Sequence, residues 1–133
     1  MQTFHSLVKE WVTCMAKELK PIVSFENSLE KLDIRVGKII EVELEEKTPK
    51  TTYKMIVDFG KFGVKTSYGR FTKTSADDIK NQLVLGVLNF EPRAMGSVVS
   101  EVLILGVQYP KADSGEATFI TPMENAKLGS KVF

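Results

Sequence analysis

Asn89, Pro92, Arg93, Met95 and Gly96 crowd into one short stretch, NFEPRAMGS, between two apolar runs. Their side chains offer three kinds of contact. Asn89 can hydrogen-bond a base edge or a backbone, Arg93 presents a planar fork of five donors, and Met95 gives a soft apolar surface. Composition equally allows an ordinary turn, since turns use Asn, Pro and Gly for their own geometry. Other chemistry finds less material. His5 and Cys14 are single, which excludes an internal disulfide and a multi-histidine or cysteine-rich metal site. Glu41, Glu43, Glu45 and Glu46 resemble a metal cluster only on paper, since alternation puts the first three on one strand face, where a solvated edge is the common outcome. No GxxxxGK[ST] or GxSxG motif is present, and Gly60–Gly63 fits a hairpin turn better than a phosphate cradle. No base, nucleophile and oxyanion donor can be assembled, so the reading is a non-enzyme with no catalytic residue, no metal and no cofactor.

The elements around that stretch must hold it. Val84–Leu88 and Val102–Val107 are apolar and β-branched and read as two largely buried strands, with the polar stretch as a loop at their ends. Upstream, Ile34 to Leu44 is a long run of β-formers in which Gly37 marks a bend or bulge. Thr48–Thr52 is a polar loop, Tyr53–Phe59 a strand, Gly60–Gly63 its turn, and Val64–Tyr68 the returning strand. Asp77 and Asp78 suit the cap of a short helix through Ile79–Asn81, and Thr118–Thr121 is a last strand. Five or so short strands with one intervening helix give a mainly β, OB-type five-stranded barrel.

Residues 4–22 differ in period. Phe4, Leu7, Val8, Trp11, Met15, Leu19 and Ile22 fall at helical spacing, which predicts an amphipathic helix ended by Pro21. Its stripe must pack on the barrel or on a second copy of the chain. Trp11 reads as an anchor in that stripe and Cys14 as an inert thiol. Ser24–Ser28 is a connector, followed by a turn of helix at Leu29–Lys31. The expected organisation is a helical extension over 1–24 and a barrel over 25–133.

A chain of 133 residues supports one core. No apolar stretch nears the roughly 20 residues that span a bilayer, and the N-terminus lacks a signal pattern, so a cytoplasmic protein without membrane insertion is expected. The net charge of +1 conceals an asymmetry. Residues 25–46 hold seven acidic and three basic side chains, whereas residues 47–80 hold eight basic and three acidic. Tyr53, Phe62, Tyr68 and Phe71 interleave with those cations, a combination suited to stacking on single-stranded or looped nucleic acid. Lysines on exposed loops are also commonly just solvated.

LDIRVGKI at 32–39, YKMIVDFG at 53–60 and NFEPRAMGSVVSEVLILG at 89–106 resemble, in order and spacing, the tRNA-binding OB module related to the methionyl-tRNA synthetase appendix. SEVLILG favours its CsaA type. The resemblance implies a homodimer that binds tRNA or other structured RNA and, alternatively, a chaperone capturing unfolded or exported polypeptide. Carried over, the family's loop falls on Asn89, Pro92, Arg93, Gly96 and Ser100, with Lys65 and Ser67 at the end of a neighbouring strand. With Arg70 added as a cation of the basic middle segment, the nucleic-acid-binding set is Lys65, Ser67, Arg70, Asn89, Arg93 and Ser100, and the peptide-binding pair is Phe90 and Met95. Asp33 and Glu101 are candidates to orient Arg35 or Arg93. KTSYGRFT departs from the family's pattern, since Tyr68 and Arg70 replace smaller or neutral residues.

Overall fold

A computed structural model describes residues 19–110 and 115–133. Of the helix expected over 4–22, only Leu19, Lys20, Pro21 and Ile22 are described, and they carry no regular structure; Trp11, Cys14 and His5 lie outside the described residues. Two short 3-10 turns follow, Phe25–Asn27 and Leu29–Lys31. The second occupies the turn expected there.

Among the described residues nine strands come next: β1 (Ile34–Glu45), β2 (Thr52–Asp58), β3 (Val64–Gly69), β4 (Leu83–Val87), β5 (Arg93–Met95), β6 (Val98–Ser100), β7 (Leu103–Ile104), β8 (Gly106–Gln108) and β9 (Ala117–Phe119). The main sheet is antiparallel, in the order β3-β2-β1-β4-β7. β1 serves two neighbours. Its first half pairs with β4 over Ile34–Lys38 and its second with β2 over Lys38–Glu45, so the strand must curl. The sheet is nearly closed into a barrel, because the Glu101 N–H donates to the Thr66 carbonyl at 2.9 Å while the Glu101 carboxylate accepts from the Thr66 N–H at 2.8 Å. The mainly β, OB-like architecture read from the sequence is the one observed.

The core gathers Ile39, Met55, Val57, Phe59, Phe71, Ile79, Val84, Val102 and Ile104, with the Tyr53 hydroxyl donating to the Thr74 carbonyl at 2.8 Å. The position of Phe59 explains two glycines. A Cβ on Gly37 or on Gly86 would stand 2.6 Å from its ring, so the ring packs directly against both backbones. Gly37 therefore makes room for packing, and the bulge expected there lies further on, at Ile40, where the register shifts between Ile39 and Glu41.

Three other expectations are corrected. Ser75, not Asp77 or Asp78, caps the short helix Ala76–Ile79, its hydroxyl accepting from the Asp78 N–H; the two aspartates occupy the first turn. Val102–Val107 is not one buried strand. β7 pairs with β4, the chain then turns where the Phe71 ring crowds Gly106, and β8 pairs with β9 in a separate ribbon that leaves Val107 exposed. Finally, residues 89–101 are not a plain loop, since β5 and β6 form a hairpin within them.

Candidate nucleic-acid interface

The hairpin is the element that shapes the site. Met95 pairs with Val98 and Arg93 with Ser100, leaving Gly96 and Ser97 as a two-residue turn. Gly96 takes a φ of 65°, the positive value such a turn requires and a side chain resists. A Cβ there would also meet the Lys47 carbonyl at 3.2 Å and Pro49 at 3.3 Å. The hairpin tip thus rests on the β1–β2 loop, which brings the lysine-bearing segment 47–50 beside it.

Between this hairpin, β3 and the β7–β8 turn lies a groove of about 490 Å³, lined by Tyr68, Arg70, Phe71, Phe90, Glu91, Arg93, Met95, Ser100, Glu101 and Leu103 among others. It unites five of the eight predicted residues: Arg70, Arg93, Ser100, Phe90 and Met95. Lys65, Ser67 and Asn89 do not line it. The Arg93 side chain is exposed and makes no hydrogen bond or ion pair among the described residues, so its fork is available to a ligand. Phe90 is exposed, and Met95 half-buried at the groove's edge.

The other predicted residues carry structural duties that restrict what they can offer. Arg70 is pinned: its Nε donates to the Thr51 carbonyl at 2.9 Å and its guanidinium stands 3.6 Å from the Glu116 carboxylate. Ser100 Oγ accepts from the Tyr68 N–H at 3.2 Å and donates to the Val102 carbonyl at 3.0 Å. Ser67 is buried and donates to that same carbonyl. Asn89 clamps the chain ahead of the barrel, its carbonyl accepting from the Asp33 N–H and its amide donating to the Lys31 carbonyl, both at 2.8 Å. Lys65 is half-buried at the start of β3, opposite Val57. Of the orienting pairs expected, Asp33–Arg35 forms at 2.8 Å, whereas Glu101 caps the Thr66 amide rather than holding Arg93.

Sequence reasoning passed over Glu91, Leu103 and Gln108 on the groove wall. It also passed over the hairpin itself, although Gly-Ser between Arg-Ala-Met and Val-Val-Ser is a recognisable turn signal. Among the described residues no group of three His, Cys, Asp or Glu side chains could hold a metal ion. The acidic face is solvated as expected at Glu41 and Glu43, while Glu45 accepts from the Lys47 N–H.

A family model described as "Putative tRNA binding domain" matches residues 34–131, a span that includes the barrel and the hairpin. A structure titled chaperone CsaA from Bacillus anthracis is 28% identical, with a TM-score of 0.76, covering 85% of this chain and 100% of that one. A CsaA chaperone protein from Picrophilus torridus is 31% identical, with a TM-score of 0.74, covering 84% and 100%. The chain belongs to the tRNA-binding domain family and is of the CsaA type. Among curated relatives, the methionine–tRNA ligase of Pyrococcus horikoshii is 38% identical over 112 residues, which are 83% of this chain but 14% of the ligase. The chain therefore spans only about a seventh of that ligase's length. No helix among the described residues is long and apolar enough to cross a membrane.

Proposed function

We propose that this chain is a non-catalytic, homodimeric binder of tRNA or another structured RNA, working in the cytoplasm, with the hairpin groove as its contact surface. The observation that carries the reading is Arg93. A guanidinium without an ion-pair partner among the described residues stands on a two-stranded hairpin at the lip of a groove that also holds Tyr68, Phe90 and the pinned Arg70. Such a lip pairs with a phosphate or stacks on an unpaired base, while the aromatics offer faces to neighbouring bases. Ser67, Ser100 and Asn89 contribute by fixing the groove's walls, and Lys65 with the 47–50 lysines adds positive charge around it. Ile22, Val23 and Phe25 are exposed apolar residues ahead of the barrel, a surface suited to a second copy of the chain.

The test is a salt titration of total tRNA binding. Wild-type affinity falls with salt along a steep log–log line, and Arg93→Ala flattens it by about 0.7–0.9 in slope, one phosphate's worth. Tight binding that ignores salt and Arg93 rejects the reading.

A second reading has its own support. The two CsaA relatives are titled chaperones, and Phe90 and Met95 give the groove an adaptable apolar rim. An extended, unfolded polypeptide would lie along it, insensitive to salt and displaced by Phe90→Ser.

A further inference from the structure

A second basic surface lies away from the groove and shares none of its residues. Arg35 on β1, Lys61 in the β2–β3 turn, and Lys127 and Lys131 in the C-terminal segment line one shallow depression of about 580 Å³. Two backbone contacts hold its parts together. A Cβ on Gly60 (φ 67°) would strike the Leu128 carbonyl at 2.8 Å, and one on Gly129 (φ 88°) would meet the Phe59 carbonyl at 3.0 Å. The turn and the C-terminal segment therefore touch through paired glycines, each in a conformation that side chains resist. The segment is fixed further by β1, with the Val36 N–H donating to the Ser130 carbonyl at 3.0 Å and the Val132 N–H to the Ile34 carbonyl at 2.9 Å.

This framework places like charges where folding alone disfavours them. Arg35 and Lys131 stand directly opposite each other in an antiparallel bridge, an arrangement that costs stability when both are cations. Asp33 answers Arg35, whose guanidinium also lies 4.6 Å above the Phe62 ring. Lys61, Lys127 and Lys131 are exposed, and none of their ammonium groups has a hydrogen-bond or ion-pair partner among the described residues. Lys61 instead hovers 5.3 Å over Phe62. Three unanswered ammonium groups around a stacked guanidinium, on a preorganised base, suit a polyanion contacted through several charges at once.

We propose that this face is a second RNA-binding site, a sequence-independent seat for a run of RNA backbone phosphates. The proposal rests on the RNA-binding reading above and extends it: one RNA is held at the hairpin groove by Arg93 and at this face by lysines acting as point charges.

Exchanging Lys61, Lys127 and Lys131 together for Gln tests it, with thermal unfolding to verify the fold and a matching triple Arg variant that keeps the charge. With total tRNA in about 0.1 M monovalent salt, the Gln variant binds roughly 30–100-fold more weakly and its log–log salt slope falls by about 2, because three phosphates are no longer neutralised. The Arg variant retains both. Unchanged affinity and slope in the Gln variant, with Arg93→Ala still weakened, overturn this site and leave the groove standing. Loss of binding to anionic vesicles or polyglutamate but not to tRNA also overturns it. Absence of salt-dependent tRNA binding in the wild type overturns both readings.

Discussion

Ser67 on β3 and Ser100 on β6 converge on one atom: both hydroxyls donate to the Val102 carbonyl oxygen at 3.0 Å, from strands 33 positions apart in sequence. Ser100 Oγ simultaneously accepts from the Tyr68 N–H. These bonds fasten β3 to the chain leaving the hairpin, along the same seam as the Thr66–Glu101 pair. The groove floor is part of this seam, so the barrel's closure and the site's shape have the same cause.

Ser67→Ala and Ser100→Ala are therefore expected to act non-additively. Each single change leaves Val102 one donor and costs about 1–2 kcal/mol, with Ser100→Ala at the upper end because the Tyr68 N–H is orphaned as well. The double variant strips the carbonyl of both donors, and a coupling of roughly 0.5 kcal/mol or more is expected. Urea unfolding of the four proteins of the cycle measures it.

Gly86→Ala is expected to destabilise by about 1–3 kcal/mol, because its Cβ would stand 2.6 Å from the end of the Phe59 ring. The same contact provides a rescue. Combining Gly86→Ala with Phe59→Leu removes the ring atoms that collide, so the double variant loses less than the two single losses added together. Midpoints of thermal unfolding provide the comparison, and additive losses would disprove the stated contact.

How far the sequence reaches is visible in the two arginines. Arg93 stood out in the sequence because its neighbours, Pro92 and Gly96, mark a constrained segment, and the structure leaves its side chain exposed and without a partner among the described residues. Arg70 was grouped with it by charge alone, and nothing in KTSYGRFT reveals that the Thr51 carbonyl and Glu116 hold it. Asn89 shows the same limit. Its two clamp partners at Lys31 and Asp33 lie 58 and 56 positions away, a separation that only the closed barrel spans. Strand identity was readable from β-branched runs. Strand partnership was not, so the exchange from β4 to β9 after Ile104 and the placing of the bulge at Ile40 rather than Gly37 required the packing of Phe71 and Phe59 to be known.

The two arginines should separate experimentally. Arg93→Ala leaves the unfolding midpoint within error, since its side chain has no hydrogen-bond or ion-pair partner among the described residues, yet weakens tRNA binding. Arg70→Ala costs stability, about 0.5–1.5 kcal/mol for removal of the bond to the Thr51 carbonyl. Paired unfolding and tRNA-binding curves for both variants decide the matter. An Arg93→Ala protein that unfolds early would show the guanidinium to be structural.

Asn89→Asp distinguishes a clamp from a base-reading group. The carboxylate still accepts from the Asp33 N–H but can no longer donate to the Lys31 carbonyl, and it adds a negative charge near the partly exposed Asp33 carboxylate. A loss of about 1–3 kcal/mol in stability is expected. If Asn89 acts only as a clamp, tRNA affinity measured well below the unfolding midpoint falls less than for Arg93→Ala. A larger fall without a stability change would place Asn89 at the ligand after all.

Phe90 and Met95 bear on which ligand the groove receives. Phe90 is 45% exposed, so its replacement by Ser forfeits little folding energy, and Met95→Ser is only somewhat more costly because that side chain is half-buried. Each change removes apolar surface from the groove's rim while leaving its cations in place. If RNA is the ligand, the log–log salt slope stays at the wild-type value in both variants, and only a salt-independent offset appears, up to about 1–3 kcal/mol where Phe90 stacks on a base. If an extended polypeptide is the ligand, binding of a reduced, unfolded protein collapses in both variants, at high and low salt alike. Measuring tRNA and unfolded-protein binding on the same two preparations separates these cases, because only the first ligand is governed by charge.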